Sequence, residues 1–223
     1  MAHAQMDSGD KPFVPALGWH WLTRFYDPLL ALMLRERVLK QQLVDQAGLT
    51  PGCAVLDFGC GTGTLTMLLK RACQSARVVG IDADAQVLAI ARQKIEAAGL
   101  DIELRQGFLT AETFAAGSFD RVVTSLVLHH LTRDEKLAVL RAMRVALRPG
   151  GELHIADFGA PHNAFTRLAS GVVQMVDGAD RIGDNLAGRL PEIVATAGFA
   201  EVATLERRTT PFGALAYLRA KAR

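Results

Sequence analysis

The chain has 223 residues, with 25 lysines and arginines against 23 aspartates and glutamates for a net charge of +2. So even a balance argues against a surface that tracks a nucleic-acid backbone, which needs a clustered basic stripe. Half the residues are hydrophobic and 22% are charged, which suits one globular domain with a sizeable core and gives no cause to expect a second full domain.

Met1 to Pro12 is polar and lacks the charged stretch and apolar core of an export signal. No stretch of the chain approaches the ~18 apolar residues of a membrane span. Leu17 to Gln46 is apolar at helical spacing, with Trp19, Trp21, Phe25 and Tyr26 along it and a break near Pro28. This predicts two helices leading into a sheet, so that residues 1–46 form a tail and lid and residues 47–223 the main domain. Strands are predicted at Ala54–Phe58, Arg77–Ile81, Ile102–Gln106, Phe119–Leu126 and Glu152–Ala156, with helices at Leu65–Cys73, Ala85–Ala98 and Arg133–Leu147 between them. Thr132-Arg133-Asp134-Glu135 is a capping box that opens the last of these helices, and Pro149-Gly150 closes it. Such alternation calls for a parallel sheet covered on both faces.

Farther along, Phe165, Leu168, Val172, Met175 and Val176 recur on one face of a helix over Asn163–Asp177. Leu186–Ala197 predicts another helix, ended by Gly198. Glu201–Arg208 and Gly213–Lys221 are joined too tightly for a parallel return and must be antiparallel. The fold class is therefore α/β: a doubly wound, mostly parallel seven-stranded sheet with an antiparallel last strand. Cys53, Cys60 and Cys73 show no paired metal spacing and are expected to be reduced thiols, which with the missing export signal points to the cytoplasm and to no structural metal.

The run Val55-Leu56-Asp57-Phe58-Gly59-Cys60-Gly61-Thr62-Gly63-Thr64 is a buried strand that turns through closely spaced glycines into a helix, which suits a nucleotide-like cofactor. The dinucleotide fingerprint is G-x-G-x-x-G, whereas these glycines fall at 59, 61 and 63 and an aspartate precedes them. Asp82 ends the second strand, where a carboxylate accepts both hydroxyls of a ribose. The pair describes a nucleoside pocket without a phosphate cradle.

With these residues the chain resembles the class I S-adenosylmethionine-dependent methyltransferases, closely from Ala54 to Gly151 and loosely elsewhere, and within them the small-molecule enzymes of quinone biosynthesis. The family's first motif corresponds to Asp57 through Gly63, its ribose acid to Asp82, its fourth-strand motif to Phe119 through Leu126 with Leu128-His129-His130-Leu131 after it, and its element before strand five to Leu147 through Gly151. The resemblance implies cofactor contacts from Asp57, Gly59, Cys60, Gly61, Thr62, Gly63, Asp82, Ala83, Gly107, Phe108, Leu109, Ser125 and Leu126. Asp57 would hold the amino end of the methionine moiety. Relatives place an adenine-binding aspartate after the glycine that ends strand three; here Phe108 stands there, so backbone groups and ring contact would replace the carboxylate. In related folds an insertion after strand five, here about residues 160–185, helps to cap the pocket.

His129, His130 and Asp157 are candidate proton acceptors, or else groups that pack and hydrogen-bond the loop. His20 and Tyr26 are candidates to close over the sulfonium, an aromatic face being worth about 0.5–2 kcal/mol to a cation, or else plain core residues. The methyl acceptor is expected to be small and largely apolar, because no lysine or arginine cluster in the cap segments pairs with a phosphate, and the protein to be a monomer or homodimer. DNA is disfavoured: Ser125-Leu126-Val127-Leu128 stands where an amino-methyltransferase carries Asp/Asn-Pro-Pro-aromatic, and no cysteine lies beside a proline as a nucleophile. RNA methylation, nicotinamide-dependent oxidation and a non-catalytic cofactor-binding module are the alternatives.

Overall fold

Val55 and Leu56 are neighbours on the first strand, both 0% exposed, and they enter two different cores, as successive side chains do on a strand with helices on both sides. The computed structural model describes residues 36–223. In chain order these form α1 (Glu36–Ala47), β1 (Ala54–Phe58), α2 (Thr64–Ala72), β2 (Arg77–Asp82), α3 (Ala85–Ala97), β3 (Glu103–Gln106), β4 (Phe119–Ser125), a 3-10 turn (Leu128–His130), α4 (Arg133–Ala146), β5 (Leu147–Phe158), α5 (Ala164–Asp177), α6 (Ala179–Leu186), α7 (Leu190–Thr196), β6 (Ala200–Thr210) and β7 (Gly213–Lys221). The sheet order is β3-β2-β1-β4-β5-β7-β6, and β7 alone runs against its neighbours.

On one face Leu56, Val79, Val122 and Leu153 pack against Leu140 and Met143 of α4 and Ile193 and Val194 of α7. On the other, Val55, Val78, Val123 and Tyr217 pack against Leu39 and Leu43 of α1 and Leu65 and Leu69 of α2. The fully buried Tyr217 donates its hydroxyl to the carbonyl of Leu39 at 3.1 Å, and Gln46 Nε2 donates to the carbonyl of Leu218 at 2.9 Å, so α1 is stitched across the sheet. The chain leaves β1 towards β2 and β3 and returns to β4 on the other side. A crevice therefore opens beyond the carboxyl ends of β1 and β4.

The structure differs from the sequence reading at three places. β5 starts at Leu147 because Leu147 pairs with Phe119, while Gly150 donates to Ala222 and Ala222 to Gly151 across the end of β7. β4 stops at Ser125, since Leu126 has a φ of 58° and leaves the ladder. The helix expected over Leu186–Ala197 is shorter, α7 over Leu190–Thr196: Pro191, which has no N–H to lose in a first turn, sits at its start, and Gly188 at φ 72° separates it from α6, which ends at Leu186.

The facing of α5, which its periodicity left open, is settled by its neighbours. Phe165, Leu168 and Met175 are 55%, 76% and 88% exposed, while Thr166, Ser170 and Val173 are buried. The approach to the β6–β7 turn demands small residues, because a Cβ on Gly213 would lie 2.8 Å from Ser170 Oγ. Thr166 is taken inward by the capping box it forms with Asn163. These three side chains of the apolar stripe therefore do not turn into the body. No helix among the described residues is long and apolar enough to cross a membrane.

Candidate functional site

The glycines between β1 and α2 meet three different constraints. A Cβ on Gly59 would sit 2.4 Å from Cγ2 of Val127, so this residue lets the loop after β4 close against the loop after β1. A Cβ on Gly63 would press on Ala91 of α3 at 3.1 Å. Of the three, only Gly61, at φ 52°, would send a side chain into open space. The loop's amides are already engaged: Gly59 and Cys60 donate to the carbonyl of Ile81, Gly63 to that of Cys60, and Gly61 to Oδ2 of Asp82 at 2.8 Å. A pyrophosphate would find no array of free N–H groups here. Lys94 of α3 braces the loop through the hydroxyl of Thr62 at 3.0 Å. The Cys60 side chain is buried against β2, close enough that a Cβ on Gly80 would meet its Sγ at 3.0 Å, and its thiol pKa is raised by burial; only its backbone faces the crevice side of the loop.

Asp82 ends β2 with Oδ2 on the Gly61 amide and Oδ1 accepting from Asp84 at 3.0 Å, and Ala83 lies half-buried beside it. Each carboxylate oxygen keeps further acceptor capacity. Burial raises its pKa in spite of those amides. Asp84, not Asp82, caps α3, accepting from Gln86 N at 2.7 Å. Asp57 is 1% exposed under the loop, with Oδ2 accepting from the hydroxyl of Thr66 at 2.6 Å, and burial lifts its pKa to about 6. Thr66 had no signal in the sequence beyond its place on the following helix. On the far wall, Gly107 donates to the carbonyl of Asp82 at 2.9 Å, Phe108 stands 70% exposed and Leu109 turns inward.

Across the crevice the geometry is made by side chains. Asp157, fully buried at the end of β5, accepts from the amides of Val127, Leu128 and Phe158 at 3.2, 2.7 and 2.7 Å and contacts Nδ1 of His129 at 2.7 Å. Burial acts to raise its pKa; contact with His129 and the Phe158 amide outweigh it and hold the carboxyl below its usual range. His129 is 4% exposed, its ring 3.9 Å from that of His130 and edge-on to Phe158 at 4.8 Å. The strained Leu126 starts this loop, its amide donating to the carbonyl of Ala156 at 2.9 Å, with Ser125 half-buried before it.

Two residues that the sequence gave no reason to single out lock this region. Lys136 of α4 is fully buried and donates to the carbonyls of Leu131 at 2.8 Å and Arg181 at 2.5 Å. Arg181 of α6 donates in return to the carbonyl of His130 at 3.1 Å. The insertion thus reaches the histidines through α6. Among the described residues no group of three or more His, Cys, Asp and Glu gathers as metal ligands, and Cys53, Cys60 and Cys73 are free and buried. Tyr26 and His20, with Trp19, Trp21 and Phe25, lie outside the described residues.

Residues 55–151 match a family described as a methyltransferase domain. The chain is 36% identical over 107 residues to a demethylmenaquinone methyltransferase of Thermus thermophilus, covering 48% of each protein. It is 39% identical over 130 residues to a 2-phytyl-1,4-naphtoquinone methyltransferase of Thermosynechococcus vestitus, covering 58% of this chain and 56% of that one. The alignments span about half the length of these curated relatives. A crystal structure of a SAM-dependent methyltransferase from Aquifex aeolicus superposes with a TM-score of 0.67 over 92% of this chain and 98% of that one at 17% identity, a likeness of fold.

Proposed function

We propose, for a chain whose residues 55–151 are a class I S-adenosylmethionine-dependent methyltransferase domain, that the protein transfers a methyl group from S-adenosylmethionine to a small, largely apolar acceptor and releases S-adenosylhomocysteine. The observation that carries this reading is the Asp82 carboxylate locked onto the Gly61 amide. It presents a ribose acceptor and removes the amide a pyrophosphate would need, which favours a nucleoside sulfonium over a nicotinamide dinucleotide.

The donor set fits that cofactor. Asp57 is a buried carboxylate with one hydroxyl partner and a pKa near 6, complementary to the ammonium of a methionine moiety. Asp82 would take the ribose hydroxyls, Gly61 leaves the space, and Gly107, Phe108 and Leu109 bound the base. The cofactor supplies an electrophilic methyl carbon. The chain's part is to align a nucleophile opposite it and to exclude water. With Nδ1 of His129 held by Asp157, its Nε2 is the nitrogen left to accept a proton, and Asp157 acts as a positioning residue. His130 lies against the same ring.

The relatives' names speak for an acceptor of the quinone class. The N-terminal segment and residues 163–177 would together set the choice of acceptor, and we place the protein in the cytoplasm. Calorimetry with S-adenosylmethionine, S-adenosylhomocysteine and NAD tests the cofactor, and NAD binding without binding of the other two overturns the reading. A screen of quinones and other apolar metabolites for uptake of labelled methyl then tests the acceptor.

A further inference from the structure

At the far end of the proposed cofactor pocket the strand-three loop offers a face instead of a hydrogen-bonding edge. β3 is parallel to β2 with Gln106 opposite Asp82, and the Gly107 amide donates to the Asp82 carbonyl at 2.9 Å, so residue 108 follows directly on the contact that holds this loop to the end of β2. That residue is Phe108, 70% exposed and flanked by the inward-turned Leu109. Its carbonyl accepts from the hydroxyl of Thr113 at 3.2 Å, and the same hydroxyl accepts from the Thr110 amide at 2.8 Å, so the loop that carries the ring is tied to itself. Arg105, the cation nearest in sequence, is turned away onto the ring of Phe114 at 4.6 Å. A large aromatic side chain left in solvent beside a ribose site is the arrangement of a stacking platform, and stacking is indifferent to which groups decorate a base because every base has a π-face.

We propose that Phe108 grips the cofactor's base by its face, so that the site does not select adenine through its 6-amino group. This rests on the nucleoside-cofactor reading above. It differs from that reading in what it forbids: a strong preference for adenine over hypoxanthine.

The test compares S-adenosylhomocysteine with S-inosylhomocysteine by calorimetry on the full chain, on Phe108→Asp and on Phe108→Ala. The expected result is equal affinity within about threefold for the native protein, a preference for the adenosyl compound of about tenfold or more in Phe108→Asp, and a parallel loss of about tenfold for both compounds in Phe108→Ala. A native protein that prefers the adenosyl compound more than tenfold, or a Phe108→Ala variant that binds both as the native protein does, overturns the proposal and leaves the cofactor reading standing. If neither compound binds the native protein, the cofactor reading itself falls, and the proposal falls with it.

Discussion

The two walls of the crevice are built by opposite means. Beyond β1–β3 the surface is mostly backbone: glycines that admit close approach, amides folded onto Ile81 and Asp82, and the two carboxylates of Asp57 and Asp82, whose pKa values burial raises. Beyond β4 and β5 it is a lattice of buried polar side chains, in which Asp157, His129, Lys136 and Arg181 satisfy one another and the main chain. On the proposed function the first wall receives the cofactor, the same in every turnover. The second holds a turn and an inserted helix in register, and so can vary in what it faces without losing its own stability.

If that contrast is right, the largest single effect lies on the second wall. Asp157→Ala strands three amides and an imidazole in the interior and is expected to cost about 3–5 kcal/mol of stability, read by chemical denaturation. A loss under about 1 kcal/mol would mean that the turn stands without its carboxylate. On the first wall, Asp82→Ala is expected to weaken S-adenosylhomocysteine about hundredfold, because two hydroxyls lose an ionised acceptor and the Gly61 amide is set free. Calorimetry checks it, and affinity unchanged within twofold would reduce Asp82 to a scaffold residue.

The glycines sharpen the comparison. Gly59→Ala meets Val127 at 2.4 Å and is expected to cost about 2 kcal/mol or more in stability, since the contact is between the walls. Gly61→Ala should cost only about 1 kcal/mol of backbone strain while it lowers cofactor affinity, as its methyl enters the ligand's space. Thermal melts and calorimetry on the pair separate the two roles, and equal losses of stability would merge them.

The smallest effect is one of pH. Protonating Asp57 removes the charge that an ammonium would meet, so cofactor affinity should be level above pH 6 and fall by up to about tenfold per unit below it. Asp57→Asn should flatten that slope. Stability of the unliganded protein runs the other way. The folded-state pKa is raised from 3.8, so the contribution of this group is fully present below pH 4 and is lost as pH rises through 6. Parallel acid titrations of binding and of melting temperature, moving in the same direction, would place the cofactor's ammonium elsewhere.

The first wall was legible in the sequence because its determinants are contiguous. Asp57 through Gly63 and Asp82 announce themselves by type and spacing, and β1 and β7 begin and end where the apolar runs do. The antiparallel hairpin followed from loop length alone. Pairing between distant residues was not legible: nothing marks Thr66 as the partner of Asp57, or Lys136 as a lysine that faces inward. α6 escaped notice because its buried residues are Ile182, Asp184 and Asn185, two of them polar. The periodicity of α5 gave a helix and left its orientation open, since a hydrophobic stripe says which residues share a face and not whether that face is covered.

The exchange of hydrogen bonds between Lys136, Arg181 and the carbonyl of His130 makes α6 and the histidine turn one mechanical piece. On the proposed function, a change in α6 would therefore reach the histidine turn as well. A chimera that imports another protein's insertion would shift the imidazoles with it, and a donor that lacks the arginine would take from the His130 carbonyl its guanidinium donor, while the lysine keeps the backbone carbonyl at that position.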